Sequence, residues 1–465
     1  METPAKPRLL PGEEDTIVAL STAPGRSAIA MVRLCGPGAF SVAEQLVTPW
    51  PLQPRQAVLC RIHDPNDRSL IDECIVSAFP SPRSYTGDDT VEFSTHGGSA
   101  VTEALVTALV LMGSREARPG EFTRRAVLNG KLDLVQAEAI GDLIDATSDS
   151  MRRVVLHQLD GGLSRQIETL RHRLLDLEAL LAYDIDFPEE DHGPIKRTRV
   201  GESAEAVHQM LRSLLETTPA TELAREGALT VIAGRPNVGK SSLFNAIVGE
   251  KRAIVTDVPG TTRDAIEARI QFRIWPLRLI DTAGLRQTDE LVERLGIEVS
   301  ERYLKAAHIV IVCDDDAAEL PKTHQSVNAV SSAPTIAVLT KADLGSRSEP
   351  NSVPTTDISG SVRVSAYTRE GLAELGERLE QELEARYGTI PVTHPALTRA
   401  RQRIAIEQAS DELSAFQRHW EKADLPAPIA AVHIRSAIGA LDELIGVVST
   451  EDILDRLFAT FCIGK

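Results

Sequence analysis

The sequence predicts a multidomain chain: an α+β N-terminal domain, an all-α helical domain, and an α/β phosphate-loop domain inserted into the helical one. Three observations carry this. A chain of 465 residues has room for about three domains at roughly 150 residues each. Apolar residues recur at three- and four-residue spacing in two separate stretches, one before and one after a different central texture. In that centre, short apolar runs alternate with helical stretches, which is the pattern of a parallel sheet covered by helices on both faces. The economical arrangement is a chain that leaves a helical domain, builds the α/β domain and returns. The expected boundaries are residues 1–128 for the N-terminal domain, 129–222 and 389–465 for the two helical halves, and 223–388 for the insert.

Residues 1–125 mix the β-like runs TIVALS, AIAMVRL and TVEFST with turn signals such as APG, GPG, YTG and HGG, hence the α+β expectation. From Leu132 the texture changes. LDLVQAEAIGDLIDAT and LSRQIETLRHRLLDLEALLAYDI read as long amphipathic helices, FPEEDHGP (187–194) as a turn, and VGESAEAVHQMLRSLLETT (200–218) as another helix. The strands of the insert are ALTVIAG, LRLIDTAG, HIVIVCD, TIAVLTKAD and VRVSAYT, with a helix after GKSS. Beyond Pro391, ALTRARQRIAIEQASDELSAFQRHW and AAVHIRSAIGALDELIG return to helical spacing.

The totals exclude several classes. No apolar run reaches the ~18 residues of a transmembrane helix, so no membrane association is expected. METPAKPRLLPGEEDT lacks the apolar centre of a secretory signal. Cys35, Cys60, Cys74, Cys313 and Cys462 are scattered with no CxxC pair, against a zinc site or a disulfide framework and for a reducing cytoplasm. A net charge of −17 disfavours non-specific coating of nucleic acid, while leaving room for a local basic face or a basic partner.

GRPNVGKS (234–241) fits G-x-x-x-x-G-K-[ST] between the strand LTVIA and the helical LFNAIVG, the context a phosphate loop requires. Gly234 and Gly239 let backbone N–H groups turn toward phosphates, Lys240 neutralises β/γ oxygens, and Ser241 is a Mg²⁺ ligand. DTAG (281–284) ends a strand, so Asp281 reaches Mg²⁺ through water and Gly284 meets a γ-phosphate. In TKAD (340–343), Asp343 can accept from two guanine N–H groups, a donor pair adenine lacks. SAY (365–367) follows on the next strand and backs the base with a main-chain N–H. The motifs stand in the right order on the right strand ends, which predicts GTP binding. The expected contacts are Asn237, Val238, Gly239, Lys240, Ser241 and Ser242, then Asp281, Thr282, Ala283 and Gly284. Thr340, Lys341, Ala342 and Asp343 follow, with Ser365, Ala366 and Tyr367.

Two departures from Ras-like GTPases stand out. Thr340 replaces the usual Asn and cannot offer both an amide donor and an acceptor. Leu285 follows DTAG where the water-orienting Gln belongs, so orientation and positive charge must come from elsewhere. TDVPGTTRD (256–264) adds Thr256, Asp257, Val258, Pro259, Gly260, Thr261 and Thr262. Thr262 suits Mg²⁺ and γ-phosphate contact, and the loop's free carbonyls could hold a monovalent cation or form an ordinary switch loop.

GRPNVGKSS, TDVPGTTRD and DTAGLR, with an inserted GTPase domain and the ending FCIGK, closely resemble the MnmE (TrmE) family of bacterial and organellar tRNA-modification GTPases. The likeness covers essentially the whole chain. It includes APGRSAIAMVRLCG (23–36), YTGDDTVEF (85–93), HGG (96–98), RPGEFTRRAVLNGKLDLVQAEAI (118–140) and DFPEE (186–190). The resemblance implies an N-terminal domain that forms a homodimer and binds a 5-formyl- or 5,10-methylene-tetrahydrofolate one-carbon donor. It implies potassium-dependent dimerisation of the GTPase domains across the nucleotide. It also implies a partner, the FAD- and NADH-using flavoprotein MnmG (GidA), in a heterotetramer or larger complex. That complex adds an aminomethyl-type or carboxymethylaminomethyl group at the 5-position of the wobble uridine of tRNA. By motif position, Asn237, Thr256, Val258 and Thr261 match the K⁺ ligands, Arg286 a switch residue and Glu293 the water-orienting acid. Arg33, Glu92, Lys131 and Lys465 fall where the family holds the folate.

FCIGK (461–465) then reads as a tail folded back to that pocket, with Lys465 lining it and Cys462 beside it, as a thiol catalyst or a packed small hydrophobe. The C-a-a-X lipidation outline fits poorly, since X is Lys and the preceding stretch is acidic and apolar. Rival functions are a ribosome-assembly RNA-binding switch and a purely structural dimerising switch. A single phosphate loop with a helical flank counts against the first, and intact folate positions against the second.

Overall fold

The computed structural model describes residues 14–186, 197–250, 266–281, 301–344, 361–422, 427–447, 451–459 and 461–464. The chain packs as two units, Met1–Gly141 with Ile438–Lys465, and Asp142–Ala437.

The first unit is built on β1 (Ile17–Leu20), β2 (Ile29–Cys35), β3 (Val47–Thr48), β4 (Val58–His63), β5 (Leu70–Phe79), β6 (Thr90–His96) and β7 (Arg115–Glu116), in the order β3-β4-β5-β6-β2-β1-β7. All neighbours are antiparallel except β1 and β7. The runs TIVALS, AIAMVRL and TVEFST are β1, β2 and β6. Strand β5 also alternates, but Asp72 and Cys74 stand at two of its inward positions, which blurs the apolar signal. One sheet face buries Val32, Leu34, Val76, Val91 and Phe93 against Leu105 and Leu109 of the helix Ser99–Leu111. On the other face, the helix Glu121–Leu128 lays Phe122 over Ile17, Ala19 and Cys35. Leu454, Leu457, Phe458 and Phe461 pack against Leu134 and Ala137, and Arg124 pairs with Asp455. That cluster brings the FCIGK segment into this unit.

The second unit holds the helices Asp149–Leu159, Gly162–Asp186, Arg197–Glu216, Thr218–Glu226 and Ala400–Lys422 together with a six-stranded sheet. Ser148 caps the first of these by accepting from the Met151 N–H at 3.0 Å. A buried network fastens the returning chain: Thr398 Oγ1 donates to Asp142 Oδ2 at 3.1 Å, Arg399 Nη2 to Asp142 Oδ1 at 2.9 Å, and Gln158 Nε2 to the Ala396 carbonyl at 2.7 Å. Residues on both sides of the α/β insert thereby meet. The sheet comprises β8 (Ala228–Gly234), β9 (Ile266–Phe272), β10 (Trp275–Asp281), β11 (Ile309–Asp314), β12 (Thr335–Leu339) and β13 (Val362–Arg363), in the order β13-β12-β11-β8-β10-β9. It is parallel apart from β9, which runs antiparallel to β10. The β9–β10 hairpin turns at Arg273, φ +56°, and Ile274, without the Asn-Gly or Asp-Gly that marks such turns. That is why β9 does not stand out in the sequence. Strand β8 is buried from Ala228 to Ala233, as a central parallel strand should be.

Candidate functional site

The carboxyl ends of β8, β10, β11, β12 and β13 converge on one edge of the sheet, where ligands of open α/β sheets bind. Strand β8 runs into the phosphate loop and the helix Lys240–Glu250. Gly234 is required by its surroundings: φ is +153°, and a Cβ would stand 2.1 Å from the Cys313 carbonyl oxygen. Asn237 and Gly239 also have positive φ, +63° and +99°, and curl the loop so that the helix N-terminus faces the cleft. The Lys240 ammonium donates to the carbonyls of Gly234 at 3.0 Å and Arg235 at 2.8 Å. Strand β10 lies beside β8 with Asp281 opposite Ile232, which brings the Asp281 carboxylate to the loop. Ser241 Oγ donates to Asp281 Oδ2 at 2.6 Å, and Asp281 is fully buried. A hydroxyl and a carboxylate side by side form a hard oxygen set that fits Mg²⁺.

The base-side residues gather around a cleft of 540 Å³ lined by Thr340, Lys341, Asp343, Ala366 and Tyr367, with Gly239 and Ser242 of the loop. Ser365 Oγ donates to Asp343 Oδ1 at 2.6 Å and accepts from the Thr368 N–H at 3.1 Å, which fixes the carboxylate. The Thr340 hydroxyl donates to the Val238 carbonyl, tying β12 to the phosphate loop. Lys341 Nζ bridges the Asn237 carbonyl at 3.0 Å and Asp315 Oδ2 at 2.7 Å. The exposed Asn237 amide offers a neutral oxygen suited to a monovalent cation. Arg286, Glu293, Thr256, Asp257, Val258, Pro259, Gly260, Thr261, Thr262, Thr282, Ala283 and Gly284 lie outside the described residues.

A further brace is hidden in the run CDDD (313–316). Arg235 of the loop grips Asp314 with two guanidinium nitrogens, Nε at 2.8 Å, and Thr323 Oγ1 donates to Asp314 Oδ2 at 2.8 Å. Burial pushes the Asp314 carboxyl up, but the Arg235 and Thr323 hydrogen bonds outweigh it and hold it below the usual carboxylate range. The only sequence signal is three acids at a strand end, which ordinarily reads as a solvated turn.

In the other unit, Arg33 and Glu92 face each other across β2 and β6, with Arg33 Nε 2.9 Å from Glu92 Oε1. The guanidinium also lies over the Tyr85 and Phe122 rings, 5.3 and 5.5 Å from their centroids. Tyr85 and Phe122 are neighbours that the sequence does not single out, although both fall within the quoted family motifs. Lys131 is exposed just past the helix Glu121–Leu128, its N–H donating to the Ala126 carbonyl at 2.7 Å. The FCIGK segment docks on the same unit. The Gly120 N–H donates to the Cys462 carbonyl at 3.3 Å, and Gly464 is buried against Leu20 and Ser21 at the end of β1. Ala19 of β1 pairs with Arg33. The Cys462 side chain is exposed, so the packed-hydrophobe alternative does not hold, and Lys465 lies outside the described residues. A carboxylate beside a guanidinium and aromatic rings fits a pterin-type ring with donor edges and a negatively charged tail. Among the described residues, no helix is long and apolar enough to cross a membrane.

A family model described as MnmE helical domain matches residues 134–462, and one described as GTP-binding protein TrmE N-terminus matches residues 16–131. The chain is 39% identical over 453 residues to the tRNA modification GTPase MnmE of Aquifex aeolicus (strain VF5), an alignment spanning 97% of this chain and 100% of that protein. The protein of the same name from Azoarcus sp. (strain BH72) is 41% identical over 460 residues, 98% of this chain and 99% of the relative. The one from Akkermansia muciniphila is 38% identical over 456 residues, 97% and 99%.

Proposed function

The chain belongs to the MnmE family of tRNA modification GTPases, and we propose that it is a potassium-dependent GTP hydrolase that, with a flavoprotein partner, adds an aminomethyl-type or carboxymethylaminomethyl group at the 5-position of the wobble uridine of tRNA. That it is a GTP-hydrolysing enzyme of tRNA modification follows from the family. The observation that supports the nucleotide site of this reading is the 2.6 Å hydrogen bond from Ser241 to Asp281, beside the loop that cradles Lys240. A hydroxyl and a carboxylate forty positions apart in sequence meet where an anion-binding loop begins.

In this reading the loop N–H groups and Lys240 hold the phosphates, Ser241 and Thr262 ligate Mg²⁺, and Asp281 acts through a bound water. Asp343, oriented by Ser365, receives the guanine N–H groups. Glu293 orients the attacking water, and Arg286 is a catalytic residue at the family's other switch position. A K⁺ ion held by Asn237, Thr256, Val258 and Thr261 supplies the positive charge that an arginine finger supplies elsewhere. In the N-terminal domain Arg33, Glu92, Lys131 and Lys465 hold a 5-formyl- or 5,10-methylene-tetrahydrofolate, which when bound supplies a one-carbon unit.

The functional domains are taken at 1–128, 129–222 with 389–465, and 223–388. The protein works as a cytoplasmic homodimer with a flavoprotein of the MnmG type. Mass analysis of wobble uridines in a strain lacking this protein tests the reading. The 5-substituent should disappear and return with the wild-type chain but not with Ser241→Ala. Unchanged uridine masses in the deletion strain would overturn it.

A further inference from the structure

The protons Thr340 carries are committed within the protein. Thr340 is buried at the junction of β12, β11 and the phosphate loop, with its hydroxyl facing two carbonyl oxygens, those of Val238 and, at 3.2 Å, Asp314. Both are acceptors only, and a threonine hydroxyl has one proton. That proton is committed to the protein. The Thr340 main-chain N–H is committed as well, donating to the Asp314 carbonyl at 2.8 Å. Guanine N7 is an acceptor without a proton and can be read only by a donor. The Asn that Ras-like chains carry here has two amide protons, enough for the loop and a base at once. Thr340 has none to spare.

The opposite edge of the base is provided for. Asp343 receives one hydrogen bond from Ser365, which leaves lone pairs on both carboxylate oxygens for the guanine N1 and N2 protons. Ser242, Asn245, Tyr367 and Arg369 also line the cleft, but their side chains are exposed and would have to be ordered to reach the base, which offsets what they would gain, and the Lys341 ammonium is held by the Asn237 carbonyl and Asp315.

We propose that this site reads guanine through its N1, N2 and O6 positions and leaves N7 unread, so that 7-deazaguanine nucleotides bind as well as guanine nucleotides do. The inference rests on the reading of this cleft as the guanine site, and the test separates the two.

Affinities of the full-length protein for GDP, 7-deaza-GDP, IDP and ADP, measured by calorimetry with Mg²⁺ and K⁺, decide it. GDP and 7-deaza-GDP should agree within about twofold, whereas IDP, which lacks the N2 amine, should bind roughly tenfold more weakly, the loss of one hydrogen bond to a charged acceptor. If IDP is weak and 7-deaza-GDP is also weakened roughly tenfold, N7 is read and the inference fails while the guanine site stands. If GDP and ADP bind alike, the guanine reading fails and takes the inference with it. Thr340→Val supplies a second readout, since its hydroxyl acts on the phosphate loop rather than the base. It should weaken GDP and 7-deaza-GDP by the same factor, and a loss confined to GDP would overturn the proposal.

Discussion

Replacing Gly464 by Ala should detach the FCIGK segment from the first unit while leaving the nucleotide site intact. Gly464 has φ +96°, and a Cβ there would stand 2.3 Å from the Leu20 carbonyl oxygen and 2.8 Å from the Ser21 Cα. Both neighbours are backbone, and Leu20 is paired in the β1–β2 ladder, so neither can swing aside like a side chain. Left-handed strain alone costs about 1–2 kcal/mol. Overpacking against a fixed wall adds about 1–3 kcal/mol. Together these are about 2–5 kcal/mol, which lowers the docking equilibrium constant roughly 30-fold or more at 1.4 kcal/mol per decade. Hydrogen exchange reads it directly, because the Gly120 N–H is bonded to the Cys462 carbonyl and should lose protection. Tetrahydrofolate affinity by calorimetry should fall in parallel, and GTP turnover should not change. Gly113→Ala is the control: φ is +105° but nothing lies within 4 Å of its Cβ, so it carries the strain without the clash and should keep folate binding. Unaltered Gly120 protection together with unaltered folate affinity in Gly464→Ala would show that the tail does not depend on this close approach.

Exchanging K⁺ for Na⁺ should cut kcat with little change in GTP affinity, since the corresponding arginine-finger charge is worth on the order of 10³–10⁵ in rate; equal kcat in the two salts would exclude a potassium role. Asp343→Asn should move base preference from GTP toward XTP, because an amide cannot accept both guanine protons, and retained GTP selectivity in competition binding would count against the TKAD assignment. Glu293→Ala should slow single-turnover hydrolysis at unchanged nucleotide affinity, and normal turnover would return Glu293 to an ordinary surface acid. Burial pushes the Cys74 and Cys313 thiols up to about 12 and raises those of Cys35 and Cys60, so all four stay protonated and inert through pH 8. A thiol reagent at that pH should therefore titrate one cysteine in the native chain, the exposed Cys462, and five in denaturant; more than one fast equivalent would contradict the burial.

The α/β insert is the most legible part of the sequence because a central parallel strand is buried on both faces. ALTVIAG and HIVIVCD are nearly unbroken apolar runs, and each is bounded by a motif that needs a strand end. The long helices are legible for a similar reason, since a repeat at three and four residues over twenty positions has no other economical explanation. Less legible are β5, whose inward positions include Asp72, and β9, whose turn uses Arg273 and Ile274. Asp72 is inward because it serves His96, accepting from its main-chain N–H at 2.9 Å and lying 2.8 Å from its Nδ1. A carboxylate that serves a neighbouring strand erases the apolar pattern that would reveal its own.

The same distinction applies to the candidate site. Residues whose task is set by chain-local geometry announce themselves: Gly234 and Gly239 by positive φ, Lys240 and Ser241 by their place at a helix start. Residues whose task is set by a distant partner do not. Asp314 belongs to Arg235, 79 positions earlier, and Thr340 to Val238, 102 positions earlier. From the sequence, Thr340 is only a weaker Asn. In the structure its hydroxyl keeps the loop-bracing task and has no proton left for the base, so the substitution removes one of two functions rather than diluting both. The distinction matters for how the site can fail. Losing the brace disturbs every nucleotide, whereas losing a base contact disturbs guanine alone, and those two failures are separable by the choice of base in a binding assay.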